Sequence, residues 1–269
     1  MADPQVALVT GISSGIGEAT ARELARSGFR VFGTVRSANA IVADGIEPVV
    51  LDVRDEPSIE RAVREIVSRA GRIDAVVNNA GTTISGAIEE TDVEQARDLF
   101  DVNFFGAVRV TQAVLPTLRS QRSGRVVFVS SVLGFLPAPF MGFYSASKHA
   151  LEGYSESLDH EVRALGIRSV LVEPGYMKTK LDRNTQAASR RIDDYDAARA
   201  RVAASVSASV SAGDDPTMVA RTIALAVTTD HPRLRYQVGK NAGTLARLRS
   251  FMPSGMFDRA LRKSFHVDA

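Results

Sequence analysis

Short unbroken apolar runs recur along this chain, and between them lie longer segments in which apolar side chains return every three or four residues. Val6-Ala7-Leu8-Val9-Thr10 opens the series, and Arg30-Val31-Phe32-Gly33-Thr34, Val49-Val50-Leu51, Ile73-Asp74-Ala75-Val76-Val77, residues 125–130, residues 167–172 and Tyr236-Gln237-Val238 continue it. Runs apolar at consecutive positions suit strands buried on both faces of a parallel sheet. Residues 18–27, 56–70, 92–119, 144–164 and 216–229 read as helices, and Ile59, Val63, Ile66 and Val67 mark the buried side of the second. Asn103 stands among Val102, Phe104 and Phe105, three residues before Gly106. A buried amide without partners is costly, so this position predicts a locally distorted helix in which Asn103 bonds backbone or water.

The junctions between these elements carry the candidate chemistry. Gly11-Ile12-Ser13-Ser14-Gly15-Ile16-Gly17 separates the first strand from the first helix. Glycines there let the backbone approach a pyrophosphate, and the free amides and dipole of the helix N-terminus attract its charge. After the second strand no acid appears, whereas Arg36 does; in dinucleotide folds a base at this place accommodates a 2′-phosphate, which favours NADP(H) with NAD(H) as the alternative. A solvated loop charge is the plain alternative for Arg36. Asp52-Val53 ends the third strand within reach of an adenine, and Asn78-Asn79-Ala80-Gly81 ends the fourth at the sheet edge where ligands lie.

Tyr144 and Lys148 are four residues apart near the start of a helix, so their side chains share a face. A free phenol ionises near pH 10, about three units above neutrality, and a nearby ammonium lowers that value by favouring the phenolate. Ser131, thirteen residues before Tyr144 at the end of a buried strand, offers a second donor to a carbonyl oxygen polarised by the tyrosine. The same Tyr-to-Lys spacing recurs at Tyr176-Met177-Lys178-Thr179-Lys180, directly after Pro174-Gly175. There a loop is expected, Arg163 occupies the position of the upstream serine, and the geometric requirement selects Tyr144 over Tyr176.

Composition narrows the classes. The chain has 269 residues, 45% apolar and 24% charged, which suits a soluble globular protein with a sizeable core. Its 33 basic residues against 31 acidic form no stripe for nucleic acid. With no cysteine there is no disulfide or thiolate metal site, and His149, His160, His231 and His266 lack ligand spacing, so no metal is expected. The N-terminus shows no signal peptide, and the longest uncharged stretch, residues 126–147, is broken by Gly134, Pro137, Pro139 and Gly142 and reads as strand plus loop; a cytoplasmic location is expected.

The ordered set Thr10-Gly11-Ile12-Ser13-Ser14-Gly15-Ile16-Gly17, Asp52, Asn78-Asn79-Ala80-Gly81, Asn103, Ser131, Tyr144-Ser145-Ala146-Ser147-Lys148 and Pro174-Gly175 resembles the short-chain dehydrogenases/reductases, over residues 6–179. The resemblance implies a single-domain α/β Rossmann fold over residues 1–269, a doubly wound parallel seven-stranded sheet with helices on both faces. It also implies hydride exchange with a nicotinamide, Tyr144 as proton donor or acceptor and Ser131 orienting the substrate. Lys148 would bind the nicotinamide ribose, Asn103 would hold a water in a proton relay, and Thr179 would hold the carboxamide, with Pro174 and Gly175 beneath the ring. Arg36 matches the NADP-preferring branch, and residues 151–158 lean toward hydroxysteroid and retinol dehydrogenases. A homodimer or homotetramer through the helices at 92–119 and 144–164 is implied as well.

We therefore expect an NADPH-preferring oxidoreductase that reversibly reduces a ketone or aldehyde. Leu133, Phe135, Leu136, Pro137, Phe140, Met141 and Phe143 offer lining for a hydrophobic small molecule. Residues 180–215, rich in Ala, Ser and Arg, are expected to be mobile and to cover the substrate. In the tail, residues 243–269, Leu245, Leu248 and Met252 share one helical face, and Met256, Phe257, Ala260 and Leu261 lie in another segment. Five basic side chains, among them Arg247 and Arg259, stand opposite, which suits a cover over the substrate mouth or a subunit contact, with peripheral membrane contact or plain core as the alternatives. Two other readings are a reductase of carrier-bound 3-oxoacyl chains, for which tail arginines would meet an acidic carrier, and a non-catalytic NADP-sensing protein, which the presence of both Tyr144 and Lys148 disfavours.

Overall fold

The computed structural model describes residues 3–37, 39–179 and 185–266. Its main sheet contains β1 (Val6–Val9), β2 (Arg30–Val35), β3 (Ile46–Val50), β4 (Ala75–Asn78), β6 (Gly124–Val129), β7 (Ile167–Pro174) and β9 (Arg235–Val238). Two-residue strands β5 (Ile84–Ser85) and β8 (Gln186–Ala187) pair separately. The seven strands lie in the order β3-β2-β1-β4-β6-β7-β9, every pair parallel. The chain works outward from β1 to β3 and returns to the other side of β1 at β4. That reversal opens a crevice at the strands' carboxyl ends, between the glycine turn after β1 and the Asn79-Ala80-Gly81 turn after β4.

The continuous apolar runs have a structural cause. Leu8, Phe32, Val76, Val126 and Phe128 face α2 (Glu56–Ala70), α4 (Gly106–Gln121) and α5 (Gly142–Val162), joining Ile59, Ile66, Val114 and Leu151 in one core. Ala7, Val9, Val31, Val77 and Val127 face α1 (Gly15–Arg26) and α7 (Pro216–Thr228), joining Leu24, Val219 and Ile223 in a second. Successive strand residues thus enter opposite cores, and each large side chain so buried contributes about 2 kcal/mol. The expected helical distortion is present. Between α3 (Val93–Phe100) and α4 the turn Asp101–Phe105 is a π-helix that rotates Asn103 inward to 1% exposure. Gly106 permits the close approach of Val53, whose Cβ would stand 2.8 Å from an added methyl.

Residues 185–266 correct two expectations. The Ala/Ser-rich stretch forms a regular helix, α6 (Asp196–Ser211), where a mobile segment was expected; alanine favours helix, and Val202 and Val206 supply a narrow buried stripe. Buried Glu90 holds the entry to α6, accepting from the amides of Ala87 (2.9 Å) and Ile192 (2.8 Å) and from Arg199. Residues 180–184, and with them Lys180 of the second Tyr/Lys pair, lie outside the described residues. The tail forms α8 (Ala242–Phe251) and α9 (Ser254–Ser264), but Met256, Ala260 and Leu248 face solvent, because the inner faces are taken by Ala242, Leu245 and Met252 and by Phe257, Leu261 and Phe265.

Candidate active site

The glycine turn is fastened to the end of β4. Thr10 Oγ1 accepts from the amides of Asn79 (2.9 Å) and Ala80 (3.0 Å), while Asn79 Nδ2 donates to the carbonyls of Thr10 (2.9 Å) and Gly11 (3.1 Å). Gly11 (φ +71°) and Gly15 (φ +62°) take the left-handed region. A methyl group on Gly17 would collide with the Gly11 carbonyl and the Asn79 amide, so this helix can start so close to the strand only with glycine there. Ser14, the N-cap of α1, makes no side-chain cap bond, leaving first-turn amides to meet an anion; Ser13 is exposed and Ile16 half-buried beside it. Thr179 packs against Gly15, and the Gly175 amide, just past Pro174, donates to the Val238 carbonyl at 2.9 Å. These features fit a dinucleotide pyrophosphate.

Arg36 is exposed at the end of β2. Asp52 accepts from Arg54 Nε (3.2 Å) and Nη2 (2.9 Å), and the Arg54 side-chain hydrogen bond, with smaller help from the field of Arg36, holds the carboxyl below its usual range. Val53, buried against Gly106, follows it.

The four candidate catalytic side chains converge. Tyr144, in the first turn of α5, is 8% exposed, and its hydroxyl shares a hydrogen bond with Ser131. Ser131 in turn caps a short 3-10 turn, its Oγ accepting from the Leu133 amide at 3.1 Å. Lys148 is 5% exposed; Nζ donates to the Val129 carbonyl at 2.8 Å and lies 5.8 Å from the Tyr144 ring centre. That bond uses one of three ammonium hydrogens and leaves two for ribose hydroxyls. Asn103 accepts from the Thr82 amide (2.8 Å) and donates to the Thr82 carbonyl (2.9 Å) and to Ser147 Oγ (3.1 Å), and Ser147 donates to the Tyr144 carbonyl (2.8 Å). Both amide hydrogens of Asn103 are therefore spent within the protein, and the relay implied by the family resemblance is left with a lone pair on Oδ1.

The expectation that Lys148 lowers the phenol's pKa is not met. Burial pushes Tyr144 up to about 12, with the Ser131 hydrogen bond opposing. Burial likewise takes Lys148 down to about 8, with Glu152 opposing. Burial disfavours the charged form of each group, which raises a phenol and lowers an ammonium. At neutral pH the pair is a protonated phenol beside an ammonium.

Over Tyr144 lies a third apolar cluster that joins Leu133, Leu136, Phe135, Phe140 and Met141 to Val202 of α6, Leu245 of α8 and Phe257 of α9. Pro137 and Phe143 stand outside it. The sequence reading missed the charged group behind the site. Glu152, one turn after Lys148, accepts from Ser130 Oγ (2.7 Å) and from Arg235 (2.5 Å), and Arg235 also reaches fully buried Glu173 at the end of β7. Its one signal was an acid at helical spacing from Lys148.

A family model described as short chain dehydrogenase matches residues 5–190. The 3-ketodihydrosphingosine reductase of Bacteroides thetaiotaomicron is 37% identical over 262 residues, 96% of this chain and 97% of that protein. The NADPH-dependent 3-dehydrocapnine reductase of Ornithobacterium rhinotracheale is 35% identical over 187 residues, 65% of this chain and 66% of that protein. A crystal structure of a short-chain dehydrogenase from Streptomyces avermitilis superposes with a TM-score of 0.82 at 36% identity, covering 99% of this chain and 97% of that one. With the glycine turn, the seven-stranded sheet and the Ser131/Tyr144/Lys148 convergence already in place, the chain belongs to the short-chain dehydrogenase family and is an NAD(P)-dependent oxidoreductase.

Proposed function

We propose that this protein reduces the ketone or aldehyde carbonyl of a hydrophobic molecule to an alcohol, reversibly, and prefers NADPH to NADH. One observation carries the reading: Ser131, Tyr144 and Lys148 converge, with Tyr144 buried in an apolar cluster that also takes in side chains of α6, α8 and α9. A bound NADPH would supply the hydride that adds to the carbonyl carbon. As the carbonyl oxygen gains the released electron pair, Tyr144 donates its proton to it and Ser131 stabilises the developing charge. One hydride and one proton complete the alcohol. Lys148 would hold the ribose hydroxyls, and its ammonium would stabilise the phenolate left when Tyr144 gives up its proton. Asn103 is a positioning residue, acting on Tyr144 through Ser147.

Burial raises the phenol's pKa, so Tyr144 is protonated at neutral pH, the state in which it can give a proton to a carbonyl oxygen. Arg36 and the absence of an acid after β2 support NADPH, as does the printed name of the Ornithobacterium relative. Both named relatives act on compounds named as 3-keto or 3-dehydro, which supports a ketone. The test is a panel of aliphatic, steroidal and aryl ketones offered with deuterium-labelled NADPH and NADH in parallel. Transfer of deuterium to at least one hydrophobic ketone, faster from NADPH, is expected; no transfer to any member, or a preference for NADH, defeats the proposal.

A further inference from the structure

The last 27 residues hold five basic and two acidic side chains, whereas residues 1–242 hold 28 and 29, so the chain's positive excess lies in its tail. α8 and α9 meet at the corner Met252-Pro253. Their inner faces are committed to the cluster over Tyr144. The outer side of this corner is unlike an ordinary solvated surface: Phe251 is 86% exposed, Met256 52% and Leu248 39%, three large apolar side chains within nine residues. Cations lie on the same outward faces by helical spacing. Arg247 stands four residues before Phe251, and Arg259 and Lys263 stand three and seven after Met256. Asp258 is the one acid between residues 243 and 266.

The corner is also tied down. The Arg249 guanidinium lies 5.0 Å from the Phe257 ring centre, joining the two helices. The end of α9 is fastened to α6, because Arg201 Nε donates to the His266 carbonyl (3.0 Å) and Ser205 Oγ to that of Ser264 (3.3 Å). The exposed apolar side chains therefore belong to a fixed element. We propose that the α8–α9 corner docks on an anionic lipid surface, with Phe251 and Met256 entering the boundary between headgroups and acyl chains and Arg247, Arg259 and Lys263 resting on the phosphates. Aromatic and aliphatic side chains at the tip with cations behind them match the charge and depth profile of such a surface. A second copy matches it poorly, since a two-fold contact at this corner would oppose the same cations. Docking does not depend on the reaction proposed above. Only its consequence does: a hydrophobic ketone would leave the bilayer beside the helices that cover Tyr144.

The experiment is co-sedimentation of the full chain with vesicles of phosphatidylglycerol mixed into phosphatidylcholine, or of phosphatidylcholine alone, at low and high salt. Binding to the anionic vesicles, released by salt and absent from neutral ones, is expected. Phe251→Ser should weaken it about tenfold, and the double variant Arg247→Glu/Arg259→Glu at least about tenfold, with circular dichroism and melting temperature unchanged. The proposal is overturned by absence of binding, by equal binding to neutral vesicles, or by a Phe251→Ser protein that binds like the parent. It is overturned equally if Phe251→Ser instead abolishes self-association, or if the tail binds an acyl carrier protein and no vesicle.

Discussion

The pH dependence of the reaction tests the electrostatics of the site directly. When NADPH and ketone are both far below saturation, the rate reports the ionisations of the free enzyme. Reduction requires Tyr144 protonated and Lys148 charged. With Tyr144 near 12 and Lys148 near 8, only the lysine titrates between pH 6 and 10. The rate should be flat to about pH 8, then fall by about tenfold per unit, being about one-tenth of its plateau at pH 9. Oxidation of the alcohol requires the phenolate and the same ammonium. It should rise about tenfold per unit up to pH 8 and level off beyond it, since each further gain in phenolate is matched by a loss of ammonium. Glu152 opposes the downward shift of Lys148, so Glu152→Gln should move both breaks to lower pH. Stopped assays over this range, in both directions, decide the matter. A reduction profile flat to pH 10, or a break that Glu152→Gln leaves in place, would refute the assignment of the ionisation to Lys148.

Four substitutions probe the remaining roles. Tyr144→Phe should lower turnover by about two orders of magnitude or more while NADPH affinity, measured by fluorescence titration, stays within about twofold; a near-normal rate removes Tyr144 from proton transfer. Arg36→Asp should reverse the order of NADPH and NADH in kcat/KM by costing the phosphate its charge-assisted contact, about tenfold to a hundredfold; unchanged discrimination means another group reads the phosphate. Asn103→Leu removes three hydrogen bonds and leaves both polar groups of the Thr82 backbone without their partner, so urea denaturation should show a loss of about 2–4 kcal/mol, and a loss below about 1 would contradict the bonding described. Lys148→Met should abolish activity and raise stability. The folded pKa of about 8 lies below the ordinary 10.5, a penalty of about 3 kcal/mol that is complete below pH 8 and fades as pH rises toward 10.5, offset by about 1 for the bond to Val129, and a melt at pH 7 that fails to rise would show that the ammonium is not penalised.

Much of the fold was legible because its cause is local. Val6 to Val9 are apolar at consecutive positions since both faces of the strand are covered, and Asn103 among phenylalanines signalled the π-turn that buries it. The glycine turn was readable because part of its cause is also local: Gly11 and Gly15 take positive φ, and Gly17 abuts the carbonyl of Gly11 six residues before it. What escaped was set by partners distant in sequence. Glu152 meets Arg235 83 residues on, and Arg235 meets Glu173 62 residues back, with no periodic mark to announce either pair. α6 was read as mobile because its Ala/Ser composition hides a stripe as narrow as Val202 and Val206, whose value lies in the cover they join.

The same distant partners explain why the phenol runs opposite to expectation. Spacing alone puts a cation near Tyr144, but spacing says nothing about how much water remains. The apolar cluster that holds Tyr144 draws side chains from α6, α8 and α9, from 50 to more than 100 residues further along the chain. A cover of this kind does two things at once. On the function proposed above it would suit an apolar substrate, and burial of the hydroxyl raises the pKa of Tyr144 and so keeps it protonated. The opposite face of two of these helices carries Phe251, Met256 and the basic residues of the tail. A surface contact there would act on helices whose inner faces join the apolar cluster around Tyr144.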